Sequence, residues 1–150
     1  YPQQPECAVA AVAGNGHLVG SKSELAMLDQ TWLQDEIARQ RAEVKRRREV
    51  YLGARDDLPV QDKIAIIVDD GIATGLTMRV GILELKHRNP KKIIVAVPVI
   101  PESTFDILKK EVDRVVALDV PSSQEFLGAV GAYYDTFPPV EDNEVIALLK

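Results

Sequence analysis

Short runs of consecutive apolar residues alternate along this chain with longer stretches whose apolar residues recur every three or four positions. Residues 64–68 form an unbroken apolar run of strand length, whereas residues 78–88 have helical spacing. Two carboxylates, Asp69 and Asp70, and a glycine-rich turn lie between them. The pattern predicts a short buried strand that ends in two acids and is followed by an amphipathic helix.

The alternation of strand and helix continues after this helix. The elements predicted there are a strand, a loop, a short helix and a strand, at residues 92–97, 98–103, 104–111 and 114–118. The short helix is expected to begin at Ser103-x-x-Asp106. Strands separated by helices of this length pair in parallel through right-handed crossovers, so their carboxyl ends share one edge of a sheet. Asp69, Asp70 and Asp119 are expected at that edge, where open α/β sheets have their ligand crevice.

A β-hairpin is predicted near the start of the chain. The apolar run at residues 7–13 is followed by the turn sequence Gly14-Asn15-Gly16 and by a second short run at residues 17–19, with His17 exposed. The alternative is a dinucleotide-binding turn that ends at Gly20, which would make the chain a nucleotide-binding oxidoreductase. Its third glycine comes one residue later than the usual fingerprint requires, so the hairpin is favoured.

A long helix is predicted between residues 21 and 52, which contain neither glycine nor proline. Ser21-x-x-Glu24 is a capping box, and one break is expected near Gln30. The helix and Trp32, which is expected in the core or at a subunit interface, favour a homodimer. The apolar stripe of this helix is narrow and consists of Leu33, Ile37, Val44 and Tyr51.

Aromatic residues are concentrated near the end of the chain, among glycines and prolines. Phe126, Tyr133, Tyr134 and Phe137 lie within twelve residues, ahead of a closing helix for which Asp142 is the expected cap. Such a segment beside a ligand crevice can stack on a planar ring, which makes Phe126, Tyr133 and Tyr134 candidates for binding an acceptor molecule. The alternative is a flap that only covers the core.

Composition narrows the range of partners. A chain of 150 residues, 46% of them hydrophobic, is expected to form a single globular domain with a substantial core. A net charge of -5 argues against nucleic-acid binding, which relies on clustered Lys and Arg, and favours small-molecule ligands. No apolar run approaches the roughly 20 residues of a membrane helix. The single cysteine, Cys7, cannot form an internal disulfide. Together these features predict a cytoplasmic protein without a membrane partner.

The turn after the predicted strand has the residues of a sugar-phosphate site. Two adjacent acids can accept hydrogen bonds from a polyol, and the following glycine- and threonine-containing loop offers N–H groups and a helix N-terminus to a phosphate. Leu76 follows Gly75 where a nucleoside-triphosphate-hydrolysing loop requires Lys, so a P-loop is excluded.

The residues from Val68 to Gly75, Val-Asp-Asp-Gly-Ile-Ala-Thr-Gly, resemble the phosphoribosyl-pyrophosphate (PRPP) signature of type I phosphoribosyltransferases. The hairpin, the long helix, the strand at residues 95–98 and the aromatic tail are similar to a bacterial group of predicted phosphoribosyltransferases of undefined substrate. The resemblance implies an α/β fold, phosphoribosyltransferase-like, with a Rossmann-type, mainly parallel sheet flanked by helices.

The resemblance also implies an activity and its site. The expected reaction moves a phosphoribosyl group from PRPP to a nitrogen acceptor, with a nucleobase as the expected class, and Mg²⁺ assists the release of pyrophosphate. Mg²⁺ would be bound through PRPP, with no direct protein ligand. Asp69 and Asp70 are the expected catalytic residues and bind the ribose hydroxyls. The remaining substrate-binding residues are Gly71 and Ile72 together with the cradle of the 5-phosphate, Ala73, Thr74, Gly75, Leu76 and Thr77.

One departure from the family pattern concerns the pyrophosphate side. Members of this fold have a first strand and a pyrophosphate-binding loop ahead of the region that matches the hairpin, and the sequence offers no candidate for either. We therefore expect the chain to be N-terminally incomplete, with an exposed sheet edge. The alternative is a regulatory module of the same fold that senses PRPP or a nucleotide without catalysis.

Overall fold

The computed structural model describes residues 8–13, 18–53, 55 and 58–149, and within these it has an α/β fold with two compact units. Residues 1–58 and 138–150 belong to the first unit, and residues 59–137 to the second. The predicted fold class, a parallel sheet flanked by helices, is confirmed.

The first unit contains the predicted hairpin. Strand β1 (Ala10–Val12) pairs with strand β2 (Leu18–Gly20) in antiparallel register, with Ala11 opposite Val19. Gly20 is required by this close pairing, because a Cβ atom there would lie 2.7 Å from both the Ala10 Cβ and the Val9 carbonyl oxygen. The predicted turn at residues 14–16, together with Cys7 and His17, lies outside the described residues.

Two helices replace the long helix, as the predicted break requires. Helix α1 (Lys22–Met27) begins after Ser21, whose hydroxyl accepts a hydrogen bond from the Glu24 N–H. Helix α2 (Gln30–Leu52) begins after Asp29, whose carboxylate accepts from the Trp32 N–H at 2.7 Å. Trp32 is half-buried. The predicted stripe of α2 is buried at Leu33, half-buried at Ile37 and Tyr51, and exposed at Val44.

Helix α5 (Asp142–Leu148) packs on α2 within the first unit. Asp142 accepts hydrogen bonds from Arg46 at 2.7 Å and from the Tyr51 hydroxyl at 2.6 Å, and these two bonds lower the pKa of its carboxyl. The prediction that Asp142 caps this helix is wrong, because its carboxylate is engaged by α2. Glu141 is the cap, in a capping box with Glu144.

The second unit is built on a parallel sheet. Among the described residues, its strands lie in the order β3 (Ile64–Val68), β4 (Lys92–Val99) and β5 (Arg114–Asp119). Helices α3 (Leu76–Lys86) and α4 (Glu102–Leu108) form the crossovers. The core of this unit consists of Ile72, Met78, Ile82, Ile93, Val95, Val97, Ile100 and Leu108.

The predicted burial of β3 is wrong on one of its faces. Ile64, Ile66 and Val68 are 55%, 61% and 73% exposed, while Ala65 and Ile67 are half-buried. The physical reason is that side chains alternate along a strand, and the core of this unit packs against one face of β3.

Several predicted boundaries also differ from the structure. Strand β4 continues through Pro98 to Val99. Proline has no N–H for a ladder hydrogen bond, but it is tolerated here because the pairing of β3 with β4 ends at Ala96. Helix α4 starts at Glu102 after Pro101, so Ser103 is not its cap. No helix in the described ranges combines the length and apolar character needed to cross a membrane.

Candidate functional site

The two acids, Asp69 and Asp70, directly follow the last residue of β3. We refer to them as the acid pair. A carboxylate oxygen of Asp69 accepts a hydrogen bond from the Asp70 N–H at 3.0 Å, which bends the chain out of the strand. The Asp70 carboxylate has no hydrogen-bond or ion-pair partner among the described residues, so its oxygens are available to a ligand.

The surroundings of the Asp69 carboxyl shift its pKa upward. Partial burial of the carboxyl raises the pKa of Asp69, and the nearby charge of Asp70 raises it further, while the hydrogen bond from the Asp70 N–H opposes both. The residue as a whole is nevertheless exposed. A carboxyl that is shielded on one side can still reach a ligand on the other.

Residues 71–77, which we call the site loop, start at a tight contact with the sheet. A Cβ atom at Gly71 would lie 2.5 Å from a methyl carbon of Val130 and 3.0 Å from one of Val99, so a larger residue requires a shift of the backbone. The buried Ile72 follows, and its N–H donates to the Val99 carbonyl at 2.9 Å. The loop is therefore anchored to the end of β4.

The middle of the site loop presents unused donors. In the part of the chain that the structure describes, the N–H groups of residues 73–77 find no protein acceptor, and the exposed hydroxyls of Thr74 and Thr77 have no hydrogen-bond partner. Gly75 precedes α3 in a left-handed conformation, with φ 75°. These donors and the positive end of the helix dipole create a favourable place for an anion.

Thr104 of α4 supports the loop from below, which the sequence analysis missed. Its buried hydroxyl donates to the Ala73 carbonyl at 2.8 Å, and its methyl carbon would lie 2.7 Å from a Cβ atom at Gly75. A signal was present in the sequence, because Thr104 is a polar residue one helical turn before Leu108, on the apolar face of α4.

The three aromatic candidates differ in what they contact. Tyr134 reaches the acid pair, where its hydroxyl donates to the Asp70 carbonyl oxygen at 2.6 Å. Phe126 and Tyr133 stack on each other with ring centroids 5.7 Å apart, and the Tyr133 hydroxyl accepts from the Leu127 N–H. Their role in binding an acceptor stays a prediction.

A cleft of about 530 Å³ lies at the other end of this unit, near the first residues of β4, and does not include the site loop. Lys86, Lys92 and Lys110 line it, and Lys86 and Lys110 stand at helix C-termini, where cations complement the helix dipole. The helix dipole therefore explains these two lysines without a bound ligand. No group of three or more potential metal-binding side chains occurs within the described ranges.

The arrangement at the sheet edge thus has two halves with different chemistry. The acid pair supplies hydrogen-bond acceptors and negative charge, and the site loop that follows it supplies donors and a positive dipole end. A ligand that carries hydroxyl groups at one end and a phosphate at the other satisfies both halves.

Comparisons with known proteins agree with this chemistry. A family model described as phosphoribosyl transferase domain matches residues 15–135. Two Mycobacterium tuberculosis proteins, "Putative phosphoribosyl transferase MT0597" of strain CDC 1551 / Oshkosh and "Putative phosphoribosyl transferase Rv0571c" of strain ATCC 25618 / H37Rv, are each 33% identical to this chain over 150 residues. The similarity covers 99% of this chain and 33% of each relative, so the chain spans about a third of their length.

A solved structure is similar as well. The crystal structure of TT1426 from Thermus thermophilus superimposes with a TM-score of 0.71 at 38% sequence identity. The match covers 97% of this chain and 68% of that chain.

Proposed function

The chain belongs to the phosphoribosyl transferase domain family, and on that premise we propose that it binds PRPP and transfers its phosphoribosyl group to a nitrogen acceptor. One observation supports the proposal most directly. At the edge of the sheet, an acid pair with free carboxylate oxygens is followed at once by a loop with unused N–H groups. Ribose 5-phosphate, which is the transferred part of PRPP, has hydroxyls and a phosphate in matching order.

The acid pair would bind the ribose. Hydrogen bonds from hydroxyl groups to ionised carboxylates are shorter and stronger than those between neutral groups. Asp70 has the freer carboxylate, while Asp69 is held by the Asp70 N–H and so offers its second oxygen in a fixed direction. Two acceptors fixed next to each other suit a pair of neighbouring hydroxyls on one sugar ring.

The site loop would bind the 5-phosphate. Main-chain N–H groups of Ala73, Thr74, Gly75, Leu76 and Thr77 and the two threonine hydroxyls are the proposed donors. The left-handed Gly75 stands at the N-terminus of α3, and glycine-containing turns before a helix bind anions in many proteins through successive N–H groups. Because the loop is anchored at Ile72 and Thr104, little ordering accompanies binding.

The residues present fit Mg²⁺ held together with the substrate. Mg²⁺ prefers oxygen ligands and is usually bound through one or two carboxylates and substrate oxygens, and the Asp70 carboxylate has no competing partner among the described residues. Asp69 and Asp70 would hold such an ion through the ribose hydroxyls. When bound, it would supply positive charge that stabilises the departing pyrophosphate.

The proposed transfer needs no covalent enzyme intermediate. The acceptor nitrogen donates an electron pair to the anomeric carbon, the bond from that carbon to pyrophosphate oxygen breaks with its electron pair, and the nitrogen releases a proton. Positive charge develops on the ribose ring in this step, and the nearby carboxylates of the acid pair stabilise it. Positioning and electrostatics therefore account for the proposed catalysis.

The test is turnover with a panel of nucleobases and other nitrogen compounds in the presence of PRPP and Mg²⁺. The proposal predicts that at least one acceptor gives release of pyrophosphate and a phosphoribosylated product of matching amount. Tight PRPP binding without turnover on any acceptor would instead support a sensing module of the same fold. Failure to bind PRPP would overturn both.

A further inference from the structure

Tyr134 is bound to the main chain of the acid pair and not to its carboxylates. Its hydroxyl donates to the carbonyl oxygen of Asp70 at 2.6 Å, across 64 positions of the sequence. Tyr134 is 38% exposed as a residue, so this contact is not the by-product of deep burial.

A second contact joins the same two parts of the chain. Val130, the first residue of a 3-10 turn that extends to Tyr133, packs so closely on Gly71 that a Cβ atom there would lie 2.5 Å from a Val130 methyl carbon. Asp70 of the acid pair is thus contacted by Tyr134, and Gly71, the first residue of the site loop, is contacted by Val130.

The aromatic segment itself holds Tyr134 in place. The rings of Tyr134 and Phe137 lie 5.1 Å apart between centroids, and the Tyr134 N–H donates to the Gly131 carbonyl at 3.2 Å. Phe137 also occupies the space beside Gly131, where a Cβ atom would lie 2.8 Å from the ring. These contacts hold the Tyr134 ring, and with it the hydroxyl that donates to Asp70.

These bonds fix the main chain of Asp70 at both of its polar groups. Its N–H donates to the Asp69 carboxylate and its carbonyl accepts from Tyr134, whereas its own carboxylate has no partner among the described residues. We propose that Tyr134 is a positioning residue, which sets the direction of the Asp70 carboxylate toward the ribose hydroxyls. This inference rests on the proposed function, because it assumes that the acid pair binds ribose.

The positioning role differs from stacking on an acceptor ring, and one substitution separates them. Tyr134→Phe retains the ring and removes only the hydroxyl. If Tyr134 acts through stacking, this variant binds PRPP as the parent does. If it acts through Asp70, the affinity for ribose-containing ligands falls. If the Asp70 hydrogen bond to the ribose is weakened by about the worth of one ordinary hydrogen bond, the affinity falls about three- to tenfold.

The chain offers a matched control in its other unit. The hydroxyl of Tyr51 also donates at 2.6 Å, to the Asp142 carboxylate, and Tyr51→Phe removes the same atom from a residue that belongs to the first unit. We expect Tyr51→Phe to bind ligands as the parent does.

The experiment measures the binding of ribose 5-phosphate and of inorganic phosphate to the full chain, with Mg²⁺, for the parent, Tyr134→Phe and Tyr51→Phe, together with their melting temperatures. Inorganic phosphate would contact only the site loop, so the positioning role predicts weaker binding of ribose 5-phosphate by Tyr134→Phe and unchanged binding of phosphate. A purely structural role would weaken both ligands and lower the melting temperature.

Each result is decisive. Unchanged binding of ribose 5-phosphate by Tyr134→Phe, or equal losses for both ligands, would overturn the positioning role while leaving the proposed function standing. Failure of the parent chain to bind ribose 5-phosphate would overturn the proposed function itself.

Discussion

The Thr104 hydroxyl donates a 2.8 Å hydrogen bond to the Ala73 carbonyl oxygen and thereby ties α4 to the loop between β3 and α3. Thr104 is the polar residue on the buried face of its helix, and only 6% of it is exposed. The bond satisfies the Ala73 carbonyl, while the N–H groups of residues 73–77 have no protein acceptor in the described part of the chain. It explains why the site loop can leave so many donors unused and still keep a defined shape.

We predict that Thr104→Val disturbs both stability and phosphate binding. The substitution leaves the Ala73 carbonyl without its donor beside a buried side chain, which costs about 1–3 kcal/mol for a buried acceptor. Denaturant unfolding and titration with inorganic phosphate measure the two effects. Thr104→Ser is the control, since it keeps the hydroxyl. Equal behaviour of the Val and Ser variants would show that the hydrogen bond does not matter.

We predict opposite effects for two alanine substitutions around α3. Gly75→Ala places a side chain at φ 75° and 2.7 Å from the Thr104 methyl carbon, so it should destabilise the protein by about 1–2 kcal/mol and weaken phosphate binding. Gly81→Ala lies inside α3, where the new Cβ would meet no atom within 4 Å beyond its own turn of helix, and it should stabilise by roughly 0.5–1 kcal/mol. Denaturant midpoints check both, and stabilisation by Gly75→Ala would contradict the account.

We predict that Asp69→Asn stabilises the protein at neutral pH. Because the pKa of Asp69 is raised from 3.8 in the folded state, its favourable contribution is complete below 3.8 and is lost as the pH rises through the raised pKa. Asparagine does not ionise and keeps an oxygen for the Asp70 N–H. Denaturant midpoints over a pH series should show parent and variant alike in acid and the variant ahead at neutral pH. A difference that is independent of pH would argue against a shifted pKa.

The strand, the acid pair and the turn could be predicted because they are local in sequence. An unbroken apolar run, two acids and a glycine-rich turn before helical spacing leave few alternatives for residues 64–86. The hairpin and the break between α1 and α2 were predictable for the same reason, since each depends on turn or capping residues at short range.

Contacts between distant parts of the chain could not be predicted in this way. Neither the Thr104 bond to Ala73 nor the Tyr134 bond to Asp70 has a sequence signal that identifies its partner, because packing of separate elements determines both. The exposed face of β3 was missed because an apolar run does not show which face a core will cover. The single domain and the homodimer stay predictions.

The central claim is that the acid pair binds the ribose of PRPP. Its most direct test is a calorimetric titration of PRPP, with Mg²⁺, into the parent chain and into the double variant Asp69→Asn with Asp70→Asn. The matched control is Asp62→Asn with Asp106→Asn, which removes the same charge from two exposed residues of the same unit. Asp62 has φ 59°, a conformation that asparagine tolerates.

The expected result is a loss of about a hundredfold or more in affinity for the double variant, since two hydrogen bonds to charged groups are weakened together, and unchanged affinity for the control. Equal affinity of the parent and the Asp69 and Asp70 double variant would contradict it.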